Sequence, residues 1–223
     1  MILSSEYRDL SFRYMGYAQK DIPDNITELE EKCEKALLTV ISPLYTYKLF
    51  DIEFKKDGVH LSDCKLIMHG EDIRNHLSGC KKAALMSATL GTGADKLIKQ
   101  TSVYDMTESF ITDCIASALI EQVCDEAEEE IRKKLTGMYM TWRYSPGYGD
   151  FPIDAQKDFL ESVNAQKRIG LYLSEGGMLM PTKSVTAVIG LSDTPVNKNK
   201  RGCICCNMRD KCSFRKRGIH CEF

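Results

Sequence analysis

Tyr104-Asp-Met-Thr-Glu-Ser-Phe-Ile-Thr-Asp-Cys-Ile-Ala-Ser-Ala-Leu-Ile-Glu-Gln-Val-Cys-Asp-Glu-Ala-Glu-Glu-Glu-Ile-Arg-Lys-Lys-Leu135 is the stretch around which the rest of the chain is organised. Met106, Phe110, Cys114, Cys124, Ile131 and Leu135 fall near one line at roughly 100° per residue, which predicts a helix from about Tyr104 to Leu135. Glu121 falls on that line too. It follows Phe110 by eleven residues, about three turns, so its carboxylate is expected to point inward rather than outward with Glu126 and Glu129. An ionised inward carboxylate is costly unless a cation meets it, and a ligand amine or a buried arginine would do so. The plain alternative is an amphipathic face carrying one snorkelling acid.

Working outward, an earlier helix is predicted from about Thr27 to Ile41. Thr27 and Glu30 stand at capping-box spacing, Leu29, Cys33, Leu37 and Val40 share a stripe, and Pro43 stops it. Phe50, Ile52 and Phe54 then alternate with Asp51, Glu53 and Lys55, and Asp57-Gly58 turns the chain into Val59 to Leu61, which reads as a half-buried hairpin. Ala83 to Leu90 reads as an interior strand. Gly91-Thr92-Gly93 follows it, but the third glycine of a dinucleotide fingerprint is missing, because Lys96 stands there. A tight strand-to-helix turn is the better reading. Past the long helix come an apolar-aromatic stretch, Met138 to Tyr144, and a turn-rich segment from Arg143 to Pro152. Asp154 then caps a helix to about Arg168, and the β-branched run Val185 to Ile189 makes a last strand. Strands and helices mix without strict alternation, which gives an α+β class. The expected architecture is a twisted, mainly antiparallel sheet flanked by helices, with one long central helix and an irregular Cys-rich C-terminal tail. Residues 1–192 form the domain and 193–223 the tail.

The 223 residues, 43% hydrophobic, suffice for one large core. The 30 Lys plus Arg nearly balance the 32 Asp plus Glu, so no global field favours nucleic acid or an anionic membrane. No apolar run approaches the roughly 20 residues that span a bilayer. The start Met1-Ile-Leu-Ser-Ser-Glu-Tyr-Arg-Asp-Leu10 lacks the features of a signal peptide, so a cytoplasmic location is expected. In a reducing compartment the ten cysteines are free thiols or metal ligands. Cys33, Cys64, Cys80, Cys114 and Cys124 sit among apolar neighbours and read as core residues.

Arg143-Tyr144-Ser145-Pro146-Gly147-Tyr148 is similar to the Arg-x-x-x-Gly-Tyr element with which the activation domain of vitamin B12-dependent methionine synthase holds S-adenosylmethionine. The register downstream resembles that family as well, in Pro152 and the helix after it, Leu173-Ser174-Glu175, Met180-Pro181, and Ser184 to Gly190. Upstream, Ala118-Leu119-Ile120-Glu121 resembles the family helix whose glutamate lines the cofactor site, so the resemblance covers most of residues 105–191. It implies a cofactor site built from Glu121, Arg143, Ser145, Gly147 and Tyr148. The chemistry of these residues suits that ligand. Arg143 offers a bidentate fork to a methionine carboxylate. Glu121 offers an anion to the ammonium or sulfonium, Gly147 permits close backbone approach, and Tyr148 supplies an aromatic face. An ordinary surface loop is the alternative reading of the six residues alone. The family's chain continues past the last strand into a region that supplies a further tyrosine, and Lys198-Asn-Lys-Arg-Gly-Cys203 replaces it here.

The resemblance implies reductive reactivation of a corrinoid protein, in which an electron donor reduces cobalt(II) while S-adenosylmethionine supplies the methyl group that traps the reduced metal. This chain shows no cobalamin-binding or homocysteine-binding module, so it is expected to act in trans. Its partners would be a cobalamin-dependent methionine synthase or another corrinoid protein, and a flavodoxin or ferredoxin-type donor. Binding roles follow, and no acid-base residue. Two rivals remain: an S-adenosylmethionine-dependent methyltransferase with another acceptor, and a non-enzymatic corrinoid or metal chaperone. In the tail, Cys203, Cys206, Cys212 and Cys221, with Cys205 and His220 as alternates, offer the ligand count of a four-coordinate zinc or iron-sulfur site. A reduced tail without metal is the alternative. Lys198, Lys200, Arg201, Arg209, Lys211, Arg215, Lys216 and Arg217 make the tail basic, suited to steering an acidic electron-transfer partner.

Overall fold

The long helix starts at a cap that its periodicity does not show. Asp105 Oδ1 accepts hydrogen bonds from the amides of Thr107 (2.8 Å) and Glu108 (3.0 Å), so the helix runs Met106–Lys134 instead of beginning at Tyr104. These observations come from a computed structural model, which describes residues 2–17, 22–196, 210–211 and 213–216. Its elements in chain order are α1 (Ser5–Tyr14), α2 (Asp24–Val40), β1 (Leu44–Lys55), β2 (Gly58–Leu61), β3 (Ile67–Met68), α3 (Glu71–His76), β4 (Lys82–Thr89), α4 (Thr92–Thr101) and α5 (Met106–Lys134). There follow β5 (Tyr139–Met140), α6 (Gln156–Ser162), α7 (Ala165–Ile169), β6 (Tyr172–Leu173), β7 (Leu179–Met180), β8 (Ser184–Ser192) and α8 (Ser213–Lys216). The class is α+β, with a mainly antiparallel sheet, flanking helices and one long helix of 29 residues. No helix among the described residues is long and apolar enough to cross a membrane.

The chain folds as two compact units with interleaved segments. The first holds Met1–Tyr47, Met86–Lys134 and Val163–Thr186. Here α1, α2 and α4 pack against α5, whose middle is buried almost all round at Ile115, Ala116, Ala118, Leu119 and Ile120. The stripe expected from the sequence is therefore too narrow. Cys114, Cys124 and Ile131 lie inside it, but Met106 and Phe110 are exposed, because they stand at helical spacing with the half-buried Asp113, Ser117 and Glu121 on the outer edge of α5, and the buried residues of the same turns are Ser109, Ile111 and Thr112. Pro23, not Thr27, precedes the first turn of α2, and its fixed extended backbone begins the helix at Asp24. The turn between β4 and α4 is a tight corner, as expected. A side chain at Gly93 would collide with the main-chain carbonyl of Val40.

The second unit holds Lys48–Leu85, Leu135–Ser162 and the chain from Ala187. It carries strands in the order β3-β2-β1-β4-β8-β5, and β1, β4 and β8 each run on along the chain into segments of the first unit. The expected hairpin is present, with β1 and β2 antiparallel and Phe54 opposite Val59. Phe50, Val59, Leu61, Met68, Ile73, Leu77, Leu85, Phe151 and Phe159 fill the core. The helix expected from Asp154 to Arg168 is broken in two. Asn164 takes a left-handed conformation (φ 57°) that ends one helical run and starts the next. Cys33, Cys80, Cys114 and Cys124 are buried, and Cys64 is half-buried. Burial pushes the thiols of Cys80 and Cys114 up to about 11, so neither is a thiolate near neutral pH.

Candidate functional site

Arg143 follows a defect in the sheet. The β5–β8 ladder pairs Tyr139 with Ser192 and Met140 with Leu191, a register that would set Arg143 opposite Val188. Instead Tyr144 bridges to Val188, so one extra residue has entered the strand between Met140 and Tyr144, which makes a β-bulge. Both ends are firmly bonded. Thr141 donates its amide to Gly190 O (2.9 Å), Gly190 donates its own to Thr141 Oγ1 (2.8 Å), and Tyr144 and Val188 exchange two main-chain bonds of 2.9 and 2.8 Å. Bulges re-aim a side chain, and the side chain carried here is Arg143, 9% exposed.

After Tyr144 the chain turns tightly. Gly147 donates to Phe151 O (2.8 Å), Tyr148 to Ser145 O (3.1 Å) and Phe151 to Tyr148 O (3.0 Å). Gly147 and Gly149 adopt φ of 92° and 53°, and a side chain at Gly149 would meet Asp72 Oδ2 and the Tyr144 hydroxyl. The Tyr144 hydroxyl donates to Tyr148 O (3.2 Å), and the two rings meet edge-on at 6.0 Å. Tyr148 itself is 54% exposed, an aromatic surface on a rigid turn, and Ser145 is half-buried. In this unit the structure therefore brings together four of the residues singled out from sequence: Arg143, Ser145, Gly147 and Tyr148.

The loop stands on α3, a helix that sequence periodicity did not reveal. Asp150 Oδ2 and Oδ1 accept from the amides of Glu71 (2.7 Å) and Asp72 (3.0 Å), and Asp72 Oδ2 accepts from the Asp150 amide (3.2 Å). At the other end of α3, the His76 ring lies edge-on to Trp142 (4.7 Å) and tilted against Tyr144 (4.9 Å). Burial holds its imidazole down to about 4, against a hydrogen bond to the Trp142 carbonyl that raises it, so His76 is neutral at pH 7. Six helical residues give no periodicity to read. The signal present in the sequence was the acidic pair Glu71-Asp72 after Gly70, a helix start matched to Asp150 in the glycine-rich turn.

Glu121 belongs to the first unit. It is half-buried on α5, one and two turns past Ser117 and Asp113, and Lys183 Nζ bonds both of those residues, at 2.9 Å to Ser117 Oγ and 2.8 Å to Asp113 Oδ1. The Met180-Pro181…Ser184 register is pinned in the same unit. Thr182 bonds Asp95 through its amide (2.9 Å) and its hydroxyl (2.5 Å), and Ser184 Oγ donates to Thr89 Oγ1 (2.7 Å). An open groove of about 530 Å³ in this unit contains Tyr7, Tyr45, Asp125, Glu126, Glu129 and Glu130 and none of the residues expected from sequence to hold a cofactor or metal. Its acids are matched internally, Asp125 by the Tyr7 hydroxyl and Glu130 by Tyr45 and Lys134, so it reads as a solvated helix face. Cys203, Cys206, Cys212 and Cys221 lie outside the described residues, and among the described residues no three His, Cys, Asp or Glu side chains gather as metal ligands.

No family model of sequence matches this chain, and no curated protein sequence does. Among solved structures, the crystal structure of the MetH reactivation domain bound to AdoHcy is similar to it, with a TM-score of 0.63 at 16% identity over 96% of this chain and 83% of that one. At that identity the likeness establishes a shared fold across nearly the whole chain.

Proposed function

We propose that this chain binds S-adenosylmethionine and serves in trans as a reactivation module for a cobalamin-dependent methionine synthase or another corrinoid protein. The observation that carries the reading is the buried, bulge-borne Arg143 with its clamped turn through Gly147 and Tyr148, in a fold similar to a reactivation domain that binds AdoHcy. Arg143 is the cation for the methionine carboxylate, and its planar fork donates to both oxygens at once. The turn at Ser145 and Gly147 brings main chain to the ligand, and Tyr148 offers its ring to the nucleoside. Glu121 is the proposed anion for the ligand's ammonium or sulfonium.

Reactivation would combine one electron from a flavodoxin or ferredoxin-type donor with transfer of the methyl group of S-adenosylmethionine to the partner's cobalt, AdoHcy being the leaving group. The chain's contribution is to hold and orient the sulfonium, so no general base is needed. The tail cysteines Cys203, Cys206, Cys212 and Cys221 are proposed as a zinc or iron-sulfur site, and the basic residues around them as the docking element for the donor. One experiment tests the function. Purified protein is mixed with reduced donor, S-adenosylmethionine and a partner held in the cobalt(II) state, and methylcobalt is followed by its absorbance. Methylcobalt formation that depends on this chain is expected. Consumption of S-adenosylmethionine without any corrinoid would instead identify a direct methyltransferase, and indifference to S-adenosylmethionine a chaperone.

A further inference from the structure

We infer that His76 and Thr141 are positioning residues for the ligand loop, holding the bulge from which Arg143 is presented. The inference rests on reading that loop as the S-adenosylmethionine site.

His76 is 6% exposed, on a helix whose neighbouring Ile73 and Leu77 are wholly buried. A leucine or phenylalanine would fill such a place without desolvating an imidazole, so the ring must repay its burial through its contacts. Its polar and ring contacts fall on residues that bracket Arg143. Its Nε2 lies 2.9 Å from Thr141 Oγ1, it hydrogen-bonds the Trp142 carbonyl, and its ring touches those of Trp142 and Tyr144. Thr141 Oγ1 in turn accepts the Gly190 amide of β8, which links the imidazole to the strand through one hydroxyl. An extra residue in a strand disrupts the local ladder, and the chain there is free to slip unless something else fixes it. Here the fixing groups are a histidine and a threonine 65 residues apart in sequence. A neutral ring suits the task, since it can accept from one neighbour and donate to another while placing no charge beside a cationic ligand.

The test uses the whole protein, AdoHcy as probe, titration calorimetry, and the emission of Trp142, the only tryptophan in the sequence. His76→Phe keeps the ring volume and deletes both hydrogen-bonding nitrogens. His76→Gln places an amide near the position of Nε2. The expected result is a split, in which His76→Phe leaves the melting temperature within a few degrees of wild type but weakens AdoHcy roughly tenfold or more. His76→Gln is expected to recover most of that affinity. AdoHcy should shift Trp142 emission in the wild type and in His76→Gln, and less in His76→Phe. A residue with only a structural role would move stability and affinity together. If His76→Phe fails to fold, Thr141→Val carries the test with the same expected loss. Wild-type binding with unchanged affinity in the variants overturns this inference alone, whereas no binding by the wild type overturns the functional reading and the inference with it.

Discussion

Asp72 and Asp150 cap one another: the Asp150 carboxylate takes the Glu71 and Asp72 amides at the start of α3, and the Asp72 carboxylate takes the Asp150 amide in the loop. Two acids side by side are tolerated because each spends its charge on main-chain donors that would otherwise lack partners. Asp150→Ala removes two of the three bonds. It is expected to lower stability by about 1–2 kcal/mol, the usual cost of a lost helix cap, as measured by urea unfolding. Asp150→Asn keeps an acceptor oxygen and should lose less than half as much.

Gly149 lies inside the same clasp. Its φ of 53° and the proximity of Asp72 Oδ2 and the Tyr144 hydroxyl leave no room for a methyl group. Gly149→Ala must push both side chains aside, breaking the Asp72–Asp150 and Tyr144–Tyr148 bonds together. A loss of about 1–3 kcal/mol is expected, with a larger fractional loss of AdoHcy affinity than Asp150→Asn causes. Equal affinity in Gly149→Ala and wild type would show that the turn does not shape the ligand site.

Much of this was legible in the sequence, and what was not has a physical reason. The long helix, the hairpin through Asp57-Gly58 and the tight corner at Gly93 follow from periodicity and turn chemistry, which are local. The start of α5 at Asp105 and that of α2 after Pro23 were misplaced because competing caps within three residues are hard to rank from spacing alone. Met106 and Phe110 continue the expected stripe of α5 but are 70% and 52% exposed, since they share an outer edge with Asp113, Ser117 and Glu121 while Ser109, Ile111 and Thr112, polar or off the stripe, supply the buried face. Arg143, Ser145, Gly147 and Tyr148 could be found as a motif. The bulge, α3 and the link from His76 to Thr141 could not, because they depend on pairing partners dozens of residues away.

Two buried titratable groups give the stability a readable pH dependence. Glu30 is 0% exposed, and neither carboxylate oxygen makes a hydrogen bond; Arg8 Nε stands 3.7 Å away, while the other two nitrogens of that guanidinium pair with Glu31 and Glu34. Burial raises the Glu30 carboxyl from 4.5 to about 7, opposed by Arg8 and aided by the two neighbouring acids. A raised carboxyl contributes stability that is full below its unfolded value and is lost as pH climbs from 4.5 toward 7. His76, lowered from 6.5 to about 4, works the other way, with a contribution present above 6.5 and lost as pH falls toward 4. Between pH 4.5 and 6.5 the two slopes oppose, so the wild type is expected to be nearly flat there. Urea unfolding of Glu30→Gln should instead show stability rising with pH across that window by up to about 1.4 kcal/mol per pH unit, the limit for one proton. His76→Phe should show it falling. Parallel curves for all three proteins would refute the assignment.

The ligand roles are separable by titration calorimetry with S-adenosylmethionine. Arg143→Ala is expected to lose about 2 kcal/mol of binding and Arg143→Lys less, since an ammonium cannot reproduce the bidentate fork. Glu121→Gln keeps shape and loses charge, so it should weaken binding while leaving the unfolding transition in place. Normal binding by Glu121→Gln together with unfolding of Glu121→Ala would make that residue structural.

The basic tail is expected to act on the rate of partner encounter and not on the ligand. Ser192 ends β8, but Asp193 still pairs with Lys81 (2.6 Å), and the Thr194 amide bonds Ser192 Oγ (3.1 Å), so a clean truncation falls after Val196. Lys198, Lys200, Arg201, Arg209, Lys211, Arg215, Lys216 and Arg217 all lie beyond that point, on a chain whose net charge is −2. Their removal leaves a strongly acidic protein that an acidic flavodoxin or ferredoxin-type donor approaches more slowly. The truncated chain should therefore bind AdoHcy as the whole chain does and reactivate its partner more slowly at low salt. The two proteins should converge as ionic strength rises and the Debye length shrinks toward about 3 Å at 1 M. Equal rates at low salt would remove the tail from donor docking. Metal content is measured separately on anaerobically purified protein. A site formed by Cys203, Cys206, Cys212 and Cys221 requires close to one equivalent of zinc, or an iron-sulfur cluster's complement of iron, lost on truncation, and less than a few tenths of an equivalent excludes a stable site.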